Sequence, residues 1–457
     1  MLNITAISGS RKVQIPVPSG SGNNLKEILA SAGFRVNAPC GGNGICGKCI
    51  VLVDGKEELA CTYVPEKDCI VTVFEKRTTV VRTAPELPPV PGEPAMGLGL
   101  ALDIGTTTVA AFLYERGTGK CLGSTGALNA QWRFGSDVIS RISYAENDKK
   151  LLQLTSLIRE EVYDLGLELC EKASTPEKKY GMQNITYISI AGNTVMQHLF
   201  AAISPKSIGV KPFKPISLFG EELIAEPTMY YCPCISGYVG GDTTAGILST
   251  GIYDSEKTVL FADLGTNCEF ALGNRDGFLC ASAPAGHAFS GGKGKNAMFG
   301  SDFISLAAKL LNEEIIDETG RFDEKAYREK YPDGPEVKPG DIRDLQLAKA
   351  SVRGAIETML EVSGTDVKEI SEVVVAGGFG MYLDPESAFT IGMFPEEFKG
   401  KIRYAGNAAG AGACLALRSE NRQILKEIAA KCRYEELSAS KLFDGKYIDA
   451  MMFGNEE

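Results

Sequence analysis

The feature that most constrains this chain is an internal echo. The run Leu98-Gly-Leu-Ala-Leu-Asp103-Ile-Gly105-Thr106-Thr107-Thr108 recurs in altered form as Thr258-Val-Leu-Phe-Ala-Asp263-Leu-Gly265-Thr266-Asn267, 160 residues further on. In each copy an apolar strand leads into the aspartate and a second follows it, Val109 to Tyr114 in one and Glu269 to Leu272 in the other. The turns Gly117-Thr-Gly119 and Asn274-Arg-Asp-Gly277 then lead to a third run. Both copies read as three-stranded meanders. The echo continues downstream: Ile188-Ser-Ile-Ala-Gly192-Asn193 parallels Val373-Val-Val-Ala-Gly377-Gly378, and Gly240-Gly241-Asp242 parallels Gly406-Asn407-Ala-Ala-Gly410. Each of these is a strand, a glycine turn and a helix start, an arrangement that points backbone N–H groups at phosphate.

A second pattern lies ahead of the duplication. Cys40, Cys46, Cys49 and Cys61 are spaced C-x5-C-x2-C-x11-C, and Gly41, Gly42, Gly44 and Gly47 fill the loop. A 2Fe–2S cluster needs four thiolates, with glycines letting the backbone wrap the inorganic core. Zinc is the competing reading of Cys46-Gly-Lys-Cys49, but no second C-x2-C accompanies it. Around the loop, residues 2–7 and 11–18 read as a hairpin. Leu25, Ile28, Leu29 and Ala32 repeat at helical spacing, with Gly33 as the stop. Ile50 to Val53 and Ile70 to Phe74 read as short strands. That order resembles the β-grasp fold of plant-type and adrenodoxin-like ferredoxins.

The chain therefore divides, on sequence, into a cluster domain over 1–78, a linker over 79–97, and two halves over 98–254 and 255–457. Five prolines within residues 83–94 make the linker semi-rigid and extended. It reads equally as a tether that lets the small domain change position or as a plain spacer. The formal charge of −11 argues against nucleic-acid binding. Thirteen cysteines, with no signal-peptide core and no long apolar run, predict a reducing cytoplasm and no membrane. The two histidines, His198 and His287, read as structural. Trp132, the one tryptophan, reads as packed against core, with a partner contact as the alternative. Cys69, Cys121, Cys170, Cys280, Cys414 and Cys432 read as bystander thiols, and residues from about 420 as a helix and a short tail.

Paired Asp-x-Gly-Thr loops on two matched meanders resemble the actin-like (ribonuclease H-like, ASKHA) ATPases, whose two halves close around ATP. The resemblance implies a first phosphate loop of Asp103, Gly105, Thr106 and Thr107. It implies a second of Asp263, Gly265, Thr266 and Asn267, with Gly377, Gly378 and Phe379 beside the adenosine. Asp242 is a third acidic candidate. Mg²⁺ prefers hard oxygen ligands, so one or two of Asp103, Asp263 and Asp242 are expected to hold it against the triphosphate.

A ferredoxin joined to an actin-like ATPase is similar to the reductive activators of corrinoid proteins. Ala191-Gly-Asn-Thr194, Ser236-Gly-Tyr-Val-Gly-Gly-Asp242, Gln346-Leu-Ala-Lys-Ala350 and Ala376-Gly-Gly-Phe-Gly380 add to that resemblance. It implies ATP-driven return of an electron from the 2Fe–2S cluster to the Co(II) corrinoid of a methyltransferase system. It also implies an upstream donor of ferredoxin or flavodoxin type, and a homodimer. Three departures stand out: the linker enters Leu98 with no extra middle domain, Cys268 replaces a usual glycine, and His287 replaces a usual proline. Beside a nucleotide-gated electron-transfer scaffold that is not an enzyme, two other classes stay open. One is an electron donor to a dehydratase, for which Cys232 and Cys234 are the pair to watch. The other is a small-molecule kinase with a redox module.

Overall fold

The computed structural model describes residues 1–8, 11–18, 20–34, 36, 49–73, 84–89, 97–265, 267–286, 300–380 and 382–454. They build three sheets, one of five strands and two of six.

The first sheet holds β1 (Leu2–Ser8), β2 (Arg11–Val17), β3 (Ile50–Val53), β4 (Lys56–Leu59) and β5 (Cys69–Val73) in the order β2-β1-β5-β3-β4. The hairpin β1–β2 is antiparallel, and β1 runs parallel to β5 at the centre. Helix α1 (Leu25–Ser31) starts at a capping box in which Asn24 and Glu27 each satisfy the other's backbone N–H. Its Leu25, Ile28 and Leu29 are buried, as the helical spacing predicts. This is the β-grasp arrangement. The sequence reading missed only β4, a charged strand whose alternation is too short to register.

The second sheet contains β6 (Leu98–Ile104), β7 (Thr108–Glu115), β8 (Cys121–Leu128), β9 (Ile185–Gly192), β10 (Glu222–Leu223) and β11 (Thr228–Tyr231), ordered β10-β11-β9-β6-β7-β8. Its helices are α2 (Val138–Tyr144), α3 (Asp148–Ala173), α4 (Thr194–Phe200) and α5 (Gly241–Thr250). The third contains β12 (Val259–Leu264), β13 (Asn267–Asn274), β14 (Gly277–Pro284), β15 (Glu372–Ala376), β16 (Ile402–Gly406) and β17 (Cys432–Tyr434), ordered β16-β15-β12-β13-β14-β17. Its helices are α6 (Gly300–Asn312), α7 (Glu324–Lys330), α8 (Pro339–Ser363), α9 (Gly377–Gly380), α10 (Pro385–Thr390), α11 (Ala408–Leu415), α12 (Ser419–Lys431) and α13 (Lys441–Asp449). In both sheets an antiparallel meander (β6-β7-β8, β12-β13-β14) is extended by parallel strands (β9 and β11, β15 and β16). The echo in the sequence is a repeat of topology.

Strand alternation decides how the halves stack. Along β6, Leu98, Leu100, Leu102 and Ile104 join an outer core with Ile158, Leu165 and other α3 residues. Along β12, Leu260, Ala262 and Leu264 join a second outer core with Leu345, Val352 and other α8 residues. The alternate positions Ala101, Val259 and Phe261 face a central core shared by both halves. Helices α5 and α11 run through that centre. They touch backbone to backbone: a Cβ on Gly412 would lie 2.1 Å from the Ala245 carbonyl oxygen.

Two expectations are corrected. Residues 84–89 of the linker do not stand free. Leu87 is buried in the shared core, Tyr114 Oη donates to the Pro85 carbonyl at 2.7 Å, and Arg418 Nη2 donates to the Pro88 carbonyl at 2.5 Å. Proline leaves its carbonyl available, and extended chain exposes it to donors on the body. The C-terminal stretch is also more than a helix and a tail. It adds edge strand β17 and helix α13, and Gln346 Nε2 donates to the Met451 carbonyl at 2.7 Å.

Candidate nucleotide cleft and cluster loop

Each predicted aspartate is the penultimate residue of its first strand, two positions from Ala101 or Phe261. Side-chain alternation therefore points Asp103 and Asp263 toward the central layer from opposite sheets. Asp242, in the first turn of α5, completes the group. All three are half-buried. Burial and the neighbouring Asp242 push Asp103 up to about 7, and burial with Asp242 and Asp103 pushes Asp263 up to about 8. Burial raises Asp242 to about 6, opposed by backbone hydrogen bonds including Thr243 N at 2.8 Å. Among the described residues no three acidic, histidine or cysteine side chains form a group that could hold a metal ion, so these carboxylates would bind a cation only together with water or phosphate oxygens.

The first loop is held rigidly. Gly105 N donates to the Thr108 carbonyl at 2.9 Å, and Asn129 Nδ2 donates to the Gly105 carbonyl at 2.8 Å. Arg141 Nη2 donates to the Thr106 carbonyl at 2.5 Å, and Asn193 Nδ2 donates to Thr106 Oγ1 at 3.0 Å. Thr107 is exposed at its tip. Asn407 ties the halves together: it caps α11 by accepting from Gly410 N at 2.6 Å, and it donates to Asp103 Oδ2 at 2.9 Å. In the second loop Gly265 and Asn267 flank the cleft, and Thr266 lies outside the described residues. Gly377 has φ +90, and a Cβ there would lie 2.4 Å from Asp263 Oδ1, so no larger residue fits. Gly378 faces open space and Phe379 is half-buried.

Sequence reasoning missed Glu269. It pairs directly with Asp263 across β12–β13, is 9% exposed, and is raised well above the usual carboxylate range by burial and by Asp242 and Asp263. An acid within an otherwise apolar strand was the available signal. Asn129, Asn193 and Arg141 were missed too, because their role depends on contacts across 24 to 87 residues.

In the small domain, Cys49 and Cys61 are brought together, both buried, with Sγ atoms 3.1 Å apart. That is too long for a disulfide and close enough for two thiolates on one iron. Cys40 and Cys46 lie outside the described residues, as does His287. The two thiols that are described fit the cluster. Cys69 is buried in the same core, and Cys170, Cys280 and Cys414 are also buried. Cys232 and Cys234 are buried near Asp242, where burial pushes the Cys234 thiol up to about 12. His198 is buried, with Nδ1 2.7 Å from the Thr194 carbonyl and Nε2 accepting from Ser217 N at 3.3 Å, a structural role.

Two sheets of one topology, stacked about shared helices with carboxylates facing across them, define an ASKHA-type ATPase fold. Residues 98–255 match the family model described as the RACo middle region. Residues 257–299 and 293–457 match the C-terminal domain of RACo, the ASKHA domain. The segment expected to be absent after the linker is therefore present, beginning at Leu98. A corrinoid activation enzyme, RamQ, of Eubacterium limosum is 32% identical over 78% of this chain and 70% of its own. A [Co(II) methylated amine-specific corrinoid protein] reductase of Methanosarcina barkeri is 24% identical over 77% and 76%. The solved structure of a reductive activator for a corrinoid, iron-sulfur protein covers 99% of both chains, with a TM-score of 0.72 and 27% identity. This chain belongs to the family of reductive activators of corrinoid proteins.

Proposed function

We propose that this chain is an ATP-dependent reductive activator. It passes one electron from a 2Fe–2S cluster at Cys40, Cys46, Cys49 and Cys61 to the Co(II) corrinoid of a methyltransferase corrinoid protein, which becomes Co(I). The observation that carries this reading is the joining of a buried thiol pair and a three-aspartate nucleotide cleft in one chain. When bound, the cluster supplies an electron near about −400 mV, and Mg-ATP supplies the free energy for an uphill transfer.

The chain's own residues have separable tasks. Cys49 and Cys61, both buried, would hold the cluster together with Cys40 and Cys46. Asp103, Asp263 and Asp242 hold Mg²⁺, directly or through water. Gly105, Thr106, Thr107, Gly265, Thr266 and Asn267 offer backbone and hydroxyl donors to the phosphates. Gly377, Gly378 and Phe379 flank the adenosine. The division into 1–78, 79–97, 98–254 and 255–457 follows these tasks. A ferredoxin- or flavodoxin-type donor upstream, a homodimer, and a cytoplasmic setting complete the proposal. Among the described residues no helix is long and apolar enough to cross a membrane.

The test is anaerobic optical spectroscopy of a Co(II) corrinoid protein mixed with the reduced protein, with and without Mg-ATP. ATP-dependent growth of the Co(I) band is expected. Its absence, with the cluster formed and ATP turned over, sinks the corrinoid assignment.

A further inference from the structure

Trp132 is the only tryptophan of the chain, and the proposed function gives it no task. It sits on a 3-10 turn, Ala130–Phe134, in the first ATPase half. Its half-buried side chain packs against the core of the cluster domain. The Lys26 ammonium of the cluster domain lies 6.0 Å from the ring centroid, and the Arg133 guanidinium of the same turn 5.9 Å. Lys26 is in the first turn of α1, and its backbone N–H donates to the Ala60 carbonyl at 2.8 Å, one residue before Cys61. The tryptophan therefore meets the cluster domain at α1, whose Lys26 is hydrogen-bonded through its backbone to the residue before Cys61.

The turn that carries it is built into the first phosphate loop. Asn129, which caps the turn, holds the Gly105 carbonyl through Nδ2, and its own N–H donates to the Thr107 carbonyl at 2.9 Å. Arg141 grips the turn at two points, donating from Nη1 to Gln131 Oε1 at 3.2 Å and from Nε to the Gly135 carbonyl at 3.0 Å. Its remaining nitrogen, Nη2, holds Thr106. Asn129, Gln131 and Arg141 have no exposed surface at all. Among the described residues, the hydrogen-bond partners of the buried Arg141 cation are neutral: two carbonyls, an amide oxygen and the Met196 sulfur.

We propose that the Trp132 turn is a latch that docks the cluster domain on the ATPase, and that a nucleotide phosphate on the Gly105–Thr107 loop releases it. This rests on reading that loop as a nucleotide site. A phosphate offers Arg141 an oppositely charged partner, and charge-assisted hydrogen bonds are about twice as strong as neutral ones. The guanidinium that moves toward it gives up Gln131 and Gly135, the residues that flank Trp132. A packed network of this kind rearranges between discrete states instead of deforming smoothly. Its equilibrium shifts only because the ligand interacts differently with the two. Trp132 is thus a positioning residue, because it decides where the cluster sits.

Trp132 itself is the probe. In the intact holoprotein, Mg-ATP or a non-hydrolysable analogue is expected to shift Trp132 emission to the red. Intensity is expected to rise as the ring leaves a light-absorbing cluster for water. Nucleotide binding is followed separately by calorimetry. Trp132→Ala and Lys26→Ala are expected to keep the cluster spectrum, to tighten nucleotide binding because latch and nucleotide oppose one another, and to raise the rate of electron delivery without nucleotide, each by up to about tenfold, the scale of one cation–π contact. Their effects should not add, and Trp132→Phe should restore most of the nucleotide dependence. Binding of nucleotide with no change in emission overturns the latch while leaving the activator reading intact. So do unchanged nucleotide affinity and unchanged nucleotide dependence of delivery in both alanine variants. Failure of nucleotide to bind overturns the nucleotide reading, and the latch with it.

Discussion

At the residue scale the cleft is governed by carboxylates that do not want to be charged together. Asp103, Asp242 and Asp263 stand at about 7, 6 and 8, against an ordinary 3.8. Each binds its proton more tightly folded than unfolded. In the protein without divalent cation, the contribution of these three groups to stability is therefore fully present below about pH 4, falls as pH rises through their folded values, and is gone above about pH 8. Mg²⁺ must displace those protons, so its apparent affinity should fall about tenfold or more from pH 8 to pH 6. Thermal unfolding at both pH values, titrated with Mg²⁺ and ATP, checks the sign. Equal Mg²⁺ stabilisation at the two values refutes it. Asp103→Ala should abolish ATP turnover and leave the cluster absorption unchanged, read by phosphate release and visible spectroscopy. Surviving turnover refutes its place in the first loop. Asp103 and Asp263 were legible because a period of two carries each from a recognisable strand to a predictable face. Glu269 was not, because its importance comes from a cross-strand neighbour that no local pattern announces.

At the scale of elements, the contact between α5 and α11 holds the two halves together through small residues. Gly412 has the Ala245 carbonyl where a side chain would go. Gly412→Val should cost several kcal/mol by overpacking, and should lower the unfolding midpoint of the ATPase without affecting the cluster. An unchanged midpoint refutes the close approach. The linker's prolines announced an extended chain correctly, but composition carries no information about which surface an extended chain lies on. Tyr114→Phe removes one of the clips at Pro85 and should cost about 1 kcal/mol, measured by denaturant unfolding. The C-terminal edge strand was hidden for a similar reason. Cys432–Tyr434 is three residues long and becomes a strand only beside Phe278–Cys280.

At the scale of the molecule, the duplication turns one chain into a two-sided clamp, and Asn407 is where the sides meet. It belongs to the second half, capping α11, yet its Nδ2 binds Asp103 of the first half, 304 residues away. That hydrogen bond lowers the Asp103 pKa against the burial that raises it, so Asn407 helps keep the carboxylate available to a cation. Two substitutions separate its tasks. Asn407→Ala removes both cap and bridge; it should destabilise the protein by about 1 kcal/mol and impair ATP turnover. Asn407→Asp keeps a good cap but sets a second carboxylate against Asp103. Its stability should stay near that of the parent at pH 6, where Asp103 is largely protonated and able to donate. Stability should fall behind by pH 8, where both acids ionise. If Asp103 needs a neutral donor from the opposite half to work, turnover is lost in both variants although only one loses the cap. Unfolding and phosphate-release assays on the pair decide it. Full turnover in Asn407→Asp would mean that the halves close around nucleotide without this bridge.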